Sequence, residues 1–294
     1  MNSLTTILVT GANGQLGKEL QAAAVAYPHF NFLFTSKEEL AIENVAAIKN
    51  YFDSHKIDFC INCAAYTAVD RAESEKETAF LVNATAVGNL ATVCKVFNVS
   101  FIHISTDYVF DGTETLPYKE TDPTNPTSIY GQSKLKGEAL ALANNPSTII
   151  IRTSWVFSSF ANNFVKTMLR LMKEKESINV VNDQFGCPTY AADLAKAILQ
   201  IINNYSSSKI NQQVFNYCNE GIISWYDFAI TIKELTQSKC IINPIPTSQY
   251  PTPAKRPQYS VLDTDAITNT FSLQIPYWKD SLQKCLVLLS DKIA

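Results

Sequence analysis

Thr10 to Leu20 reads TGANGQLGKEL, directly after a short apolar, β-branched run, LTTILVT (Leu4 to Thr10). Gly11, Gly14 and Gly17 give a GxxGxxG spacing. A strand that runs through such glycines into a helix leaves few folds open. The first glycine permits a tight turn and the second a close backbone approach to a pyrophosphate. The third allows close helix–sheet packing, and the helix N-terminus favours the negative charge. This is the first β-α turn of a parallel sheet, and it points to a dinucleotide. Gly11 and Gly14 are its candidate binding residues.

The following sequence keeps alternating. Phe30 to Thr35, Ile57 to Asn62, Val99 to Thr106 and Ser147 to Ser154 have the short apolar pattern of strands. Val45 to Ser54, Lys76 to Phe97 and Tyr130 to Ala143 have helical periodicity. Alternation of this kind predicts an α/β fold, a Rossmann-type doubly wound parallel sheet covered on both faces. Met1 to Arg152 is expected to form mainly the nucleotide-binding core, and residues 153–294 mainly a smaller C-terminal substrate lobe. QQVFNYCNEG (Gln212 to Gly221) alternates like a strand and is expected to return to the core sheet. NPIPTSQYPTPAKRP (Asn243 to Pro257) is too punctuated for a helix or central strand, and predicts an ordered loop over the second lobe.

Several functions are disfavoured. A net charge of -3 gives no electrostatic argument for nucleic acid or an acidic membrane. No uninterrupted apolar run approaches the roughly 20 residues of a membrane helix, and the N-terminus reads as a strand, not a signal peptide. Seven scattered cysteines argue against a secreted disulfide framework and for the reducing cytoplasm. Cys60 and Cys63 form a CxxC inside an apolar strand-like run, which suits small core residues better than a redox pair at a helix start. None of the three histidines has metal-ligand spacing, and no metal is expected.

The second strand ends in FTSK. NAD-binding folds usually place an acidic residue there for the ribose 2′-hydroxyl. Ser36 and Lys37 stand instead, and a hydroxyl with a cation suits a 2′-phosphate, favouring NADPH. Glu38 or Glu39 turned inward would hold the ribose and admit NADH.

The fourth strand ends in Ser105-Thr106-Asp107-Tyr108, and ligands of open parallel sheets sit off the carboxyl ends of strands. Tyr130 and Lys134 lie four apart, on one helix face. A phenol with a pKa of about 10 is a poor acid at neutral pH, and a nearby ammonium lowers that value. The constellation therefore suits carbonyl reduction. Tyr130 protonates the carbonyl oxygen, Lys134 tunes Tyr130 and holds the nicotinamide ribose, and Thr106 bonds the same oxygen.

These stretches resemble the extended short-chain dehydrogenase/reductases, and more closely the dTDP-4-dehydrorhamnose reductase family. The similarity runs in order through GANGQLG (from Gly11), NCAAYTAVDRAE (from Asn62), STDYVFDG (from Ser105), YGQSKLKGE (from Tyr130), RTSWVF (from Arg152), NNFVKTMLR (from Asn162), NDQFGCPT (from Asn182) and YPTPAKRPQYSVLD (from Tyr250). It spans nearly the whole chain. YxxxK is common to many reductases, whereas RTSWVF, DQFGCPT and PTPAKRP together are specific. The resemblance implies NADPH-dependent hydride transfer to C4 of a dTDP-4-keto-6-deoxyhexose, a nucleotide sugar, by a cytoplasmic monomer or homodimer. It implies Thr106, Tyr130 and Lys134 as the catalytic trio, Asn13, Gly14, Gln15 and Leu16 as the pyrophosphate loop, and Ala64, Ala65, Tyr66 and Thr67 as the cofactor-lining segment. It also implies Asp107 and Trp155 as sugar contacts and Arg256 as a residue facing the diphosphate. There are departures. Ala41 takes an acidic place after the second strand, Ala192 stands where some relatives have a metal-bridging glutamate, and the tail Lys292–Ala294 offers none, although Glu19 matches one such position.

Two other readings compete. A nucleotide-sugar dehydratase or epimerase shares the fold, but a dehydratase needs a second carboxylate where this chain has Tyr108. A non-catalytic regulatory subunit would not require the intact trio.

Overall fold

In a computed structural model the structure describes residues 4–205 and 213–290, so Met1, Gln212 and Lys292–Ala294 lie outside the described residues. The strands are β1 (Thr5–Thr10), β2 (Phe30–Thr35), β3 (Phe59–Asn62), β4 (Ser100–Thr106), β5 (Thr148–Thr153), β6 (Val156–Phe157), β7 (Ser177–Val181), β8 (Phe185–Gly186), β9 (Thr189–Tyr190), β10 (Val214–Asn216), β11 (Ile223–Ser224) and β12 (Ile241–Ile245). The helices are α1 (Gln15–Ala24), α2 (Val45–Ser54), α3 (Val69–Ala72), α4 (Lys76–Phe80), α5 (Ala86–Val96), α6 (Ile129–Asn144), α7 (Phe164–Glu174), α8 (Ala191–Asn203), α9 (Trp225–Leu235), α10 (Asp265–Phe271) and α11 (Trp278–Ser290).

Six strands form one parallel sheet in the order β2-β1-β3-β4-β5-β10. Its strands bury both faces, which is why they read as nearly unbroken apolar runs. Ile7, Val9, Ile61, Ile102 and Ile151 pack on one face with Leu194 and Ile198 of α8. Leu8, Cys60, Phe101 and Ile150 pack on the other with Val87 and Leu90 of α5. Cys60 is thus a core residue. β10 is contributed by the second half of the chain and takes the outermost position beside β5, with Val214 opposite Ile150.

The chain leaves β1 toward β2 and then crosses to β3 on the other side. The switch point lies between β1 and β3, where open α/β sheets bind ligands.

One predicted helix is interrupted. Lys76 to Phe97 contains a π turn at Leu81–Thr85. That turn carries Asn83, whose Oδ1 accepts from Tyr66 N at 2.8 Å and whose Nδ2 donates to Tyr66 O and Ser133 Oγ at 3.0 Å. The distortion thereby ties the segment after β3 to α6. The Lys76–Val96 run is long and apolar enough to cross a bilayer by length and composition, but 61% of its apolar window is buried within the fold.

The second half pairs β7 with β12, β6 with β9 and β8 with β11 in two-stranded sheets around Phe157, Phe228, Trp278 and Leu282. The proline-rich stretch differs from expectation at both ends. Asn243, Pro244 and Ile245 belong to β12, where Pro244 lies in a two-stranded sheet with no ladder on its far side. Farther on, the stretch reaches the first half of the chain, because Ala254 N and the Arg256 guanidinium both donate to Asp70.

Candidate active site

Two cavities meet at the switch point. One, of about 460 Å³, is lined by Gly11, Asn13, Lys37, Glu38, Ala64 and Tyr66, among others. The other, also about 460 Å³, is lined by Gln15, Leu16, Thr67, Thr106, Asp107, Tyr130, Lys134 and Trp155 among others. Gly14, Cys63 and Ala65 line both, so the two are halves of one cleft across the glycine loop.

The loop geometry is specific. Gly11 has φ +68°, and a Cβ there would lie 2.5 Å from Ala64 N. Gly14 is the N-cap of α1 with no side-chain cap, so the first N–H groups of the helix face the cleft without a competing acceptor. Gln15 reaches into the second half, its Oε1 accepting from Asn163 Nδ2 at 2.9 Å.

At one end of the cleft the cation stands among carboxylates. Lys37 Nζ lies 3.2 Å from Glu43, and Glu38 lines the same cavity. Ser36 departs from its expected role. It is buried and does not line the cleft, because its N–H donates to Glu39 Oε2 at 2.7 Å and its hydroxyl is turned to Glu38. Glu39 is therefore not turned into the cleft either.

At the other end, the turn after β4 and the first turns of α6 bring Thr106, Asp107, Tyr130 and Lys134 together. Ser128 caps α6, its hydroxyl accepting from Gly131 N at 3.1 Å. Burial pushes the Tyr130 phenol up to about 12, Thr106 pulls it down, and Asp107 pushes it further up. Lys134 is not among the groups that shift this phenol. Lys134 is buried, with Nζ 2.6 Å from Ile104 O and 3.2 Å from His103 Nε2, and burial lowers it to about 8. One carboxyl-terminal turn later, Glu138 accepts from Ser105 Oγ and takes Arg152 in a bidentate pair, Nη2 to Oε2 at 2.8 Å and Nε to Oε1 at 3.0 Å.

Asp107 is buried beside Thr106, whose Oγ1 donates to Asp107 Oδ1 at 3.0 Å. Ser260 also favours the carboxylate, although Asp107 Oδ2 closes no full hydrogen bond among the described residues. Burial wins and raises the carboxyl to about 6. The native state thus holds this proton more tightly than the unfolded chain does. The associated stability is present at low pH and is lost as pH rises from about 4 through about 6. Asp107→Asn is expected to be more stable than the parent at neutral pH, by up to about 3 kcal/mol, with the gain vanishing near pH 4. Urea denaturation at both pH values checks this; an equal gain at both would remove the buried anion as its cause.

Trp155 takes a left-handed backbone, φ 47°, that places its indole in the cleft. The ring stacks on Trp225 at 3.6 Å between centroids, and a Cβ on Gly186 would meet it at 2.6 Å. Trp225 belongs to a neighbouring cavity of about 630 Å³ with Phe164, Gln184, Tyr250 and Arg256. Arg256 therefore lines this neighbouring cavity and not the cleft of Tyr130, held by Asp70 at 2.8 Å. Trp225, Asn83 and His103 carry no motif that marks them in the sequence; all three are defined by partners distant along the chain.

Glu19 is buried and accepts from Ser158 Oγ at 2.6 Å. Among the described residues no group of three His, Cys, Asp or Glu is placed to hold a metal ion.

Residues 5–290 match the family model described as the RmlD substrate binding domain. The chain is 41% identical over 287 residues to a dTDP-4-dehydrorhamnose reductase of Aggregatibacter actinomycetemcomitans, covering 95% of this chain and 98% of the relative. Among solved structures, it is similar to a dTDP-4-dehydrorhamnose reductase of Clostridium acetobutylicum, with a TM-score of 0.91 and 40% identity over 97% of this chain and 100% of that one. It is equally similar to the Bacillus anthracis enzyme in complex with NADP, with a TM-score of 0.91 and 35% identity over 97% and 99% of the two chains.

Proposed function

The chain belongs to the dTDP-4-dehydrorhamnose reductase family, and from that premise we propose that it reduces dTDP-4-dehydro-β-L-rhamnose to dTDP-L-rhamnose with NADPH, as a step in making rhamnose for cell-surface polysaccharide. One observation carries the site assignment: Thr106, Tyr130 and Lys134 line the same cleft as the glycine loop.

The residues present fit the dinucleotide. The uncapped start of α1 and the Gly11–Gly14 backbone would hold the pyrophosphate, with Asn13, Gln15 and Leu16 beside it. Ala64, Ala65, Tyr66 and Thr67 would flank the cofactor across the cleft, and Lys37 would meet a 2′-phosphate after leaving Glu43. When bound, NADPH supplies the hydride that adds to C4. Tyr130 is a protonated phenol at neutral pH and donates its proton to the C4 oxygen. Thr106 orients that oxygen. The phenolate left behind needs a countercharge, which the Lys134 ammonium provides. Asp107 and the Trp155 indole border the sugar, and Arg256 stands in the adjoining cavity, toward which the nucleotide end would extend.

Elimination is disfavoured, since Tyr108, where a dehydratase needs a carboxylate, lines the cleft and is held as a neutral phenol by burial. Seven free cysteines support a cytoplasmic location. One chain supplies the whole cleft, which is compatible with a monomer or a homodimer.

The test is NADPH absorbance decay with purified protein and dTDP-4-dehydro-L-rhamnose generated in situ, with a parallel NADH run. Formation of dTDP-L-rhamnose is the expected result. A folded protein that consumes neither cofactor would overturn the reading.

A further inference from the structure

A buried chain of polar groups lies beneath the catalytic lysine. Ala64 N donates to Asn62 Oδ1 at 3.2 Å, and Thr10 Oγ1 donates to the same oxygen at 2.7 Å. Two donors on one atom fix which end of the Asn62 amide is oxygen, since a reversed amide would point N–H at N–H against Ala64. The Asn62 Nδ2 end then donates to His103 Nδ1 at 3.0 Å. His103 is fully buried on β4, and its ring is held neutral by burial and by Lys134. A neutral imidazole has one N–H. With Nδ1 accepting, that N–H is on Nε2, which lies 3.2 Å from Lys134 Nζ. An ammonium has no lone pair to receive it, whereas an amine does.

We propose that His103 is a positioning residue for the reductase: locked by Asn62 as the Nε2–H tautomer, it opposes the charged form of Lys134 and sets the pH at which that lysine gives up its proton. The other groups around Lys134 are Glu138 on α6, which favours the ammonium, Cys63 after β3, whose thiol burial holds neutral, and Tyr130 one turn earlier on α6. Arg152 on β5 pairs with Glu138 and moderates its pull. Among the described residues only His103 brings a donor to Nζ, so it is the group whose replacement should move the titration upward. Above that pH the phenolate left by Tyr130 would lack its countercharge, so the alkaline limb of kcat/KM reads the lysine.

The tautomer is tested on the free protein. The chain has three histidines, and His29 and His55 are exposed. In long-range proton–nitrogen spectra of the ¹⁵N-histidine-labelled chain, the buried ring is expected to show a protonated Nε2 and a bare Nδ1 from about pH 6 to about pH 9. An Nδ1–H tautomer, or an imidazolium, would overturn the proposal. The second arm rests on the reductase reading. In His103→Gln, whose carbonyl can accept from the ammonium, the alkaline limb is expected about one pH unit higher. His103→Leu, which only removes the donor, should move it the same way by less. An unshifted limb in a folded variant also overturns the proposal. Absence of turnover in the parent would instead sink the reductase reading, and the spectra would still decide the tautomer.

Discussion

Tyr130→Phe is expected to lower kcat by about 10²- to 10⁴-fold, the usual contribution of a general acid, while NADPH binds within a few-fold of the parent affinity. The substitution removes one hydroxyl from a half-buried ring and leaves its edge contact with Tyr108, at 5.6 Å and 77°, in place. No glycine-loop atom is touched. The loss should fall on kcat and kcat/KM together, since the missing proton transfer belongs to the transition state. Steady-state kinetics with calorimetric titration of NADPH would separate the two effects. Turnover within about threefold of the parent would assign the proton to another donor, Asp107 being the next candidate because its carboxyl titrates near 6.

The second large effect is on stability. Glu138→Ala should destabilise the protein by about 3–5 kcal/mol, because it strands a buried guanidinium rather than removing a pair. The Arg152 and Glu138 side chains are only 5% and 3% exposed, and among the described residues Arg152 has no second ion pair: Glu120 O lies at 3.4 Å, the Phe110 ring packs on the guanidinium, and the Glu120 carboxyl acts on it only from farther off. The Ser105 hydroxyl loses its acceptor as well. Glu138→Gln keeps the shape and should lose less. Replacing both partners with apolar residues of similar volume should recover much of the loss. Urea denaturation of the three variants discriminates, and equal losses in all of them would mean that packing, not charge, is at stake.

Much of the site was readable because the chain places it at short range. GANGQLG is a strand, a turn and a helix start in sequence, and Tyr130 and Lys134 share one helix face. The first five strands were legible for the same local reason, since burial on both faces writes an apolar run. What escaped was set by distant partners. The sequence around Arg256 does not show that Asp70, 186 residues away, holds its guanidinium in the adjoining cavity. Ser36 carries the right hydroxyl, yet neighbouring carboxylates turn it from the cavity. The Tyr130–Lys134 spacing suggested a tuned pair, but it does not show that Ile104 O and His103, both on β4, also meet Lys134. The π turn at Asn83 follows from its bonds to Tyr66 and Ser133, which helical periodicity does not encode.

The place of β10 has a consequence for biosynthesis of the chain. When the ribosome has released residues up to Thr153, the nucleotide-binding loop and five strands of the sheet are present, but β5, with its apolar TIIIRT sequence, has no neighbour on one side. That flank stays unpaired until Val214 to Asn216 emerge. A bare β-branched edge is a template for other chains. The nascent protein therefore passes through an interval of self-association risk, and a fragment cut after Arg152 would remain in that interval permanently. Five strands of the sheet are made well before the sheet is safe as a folded body.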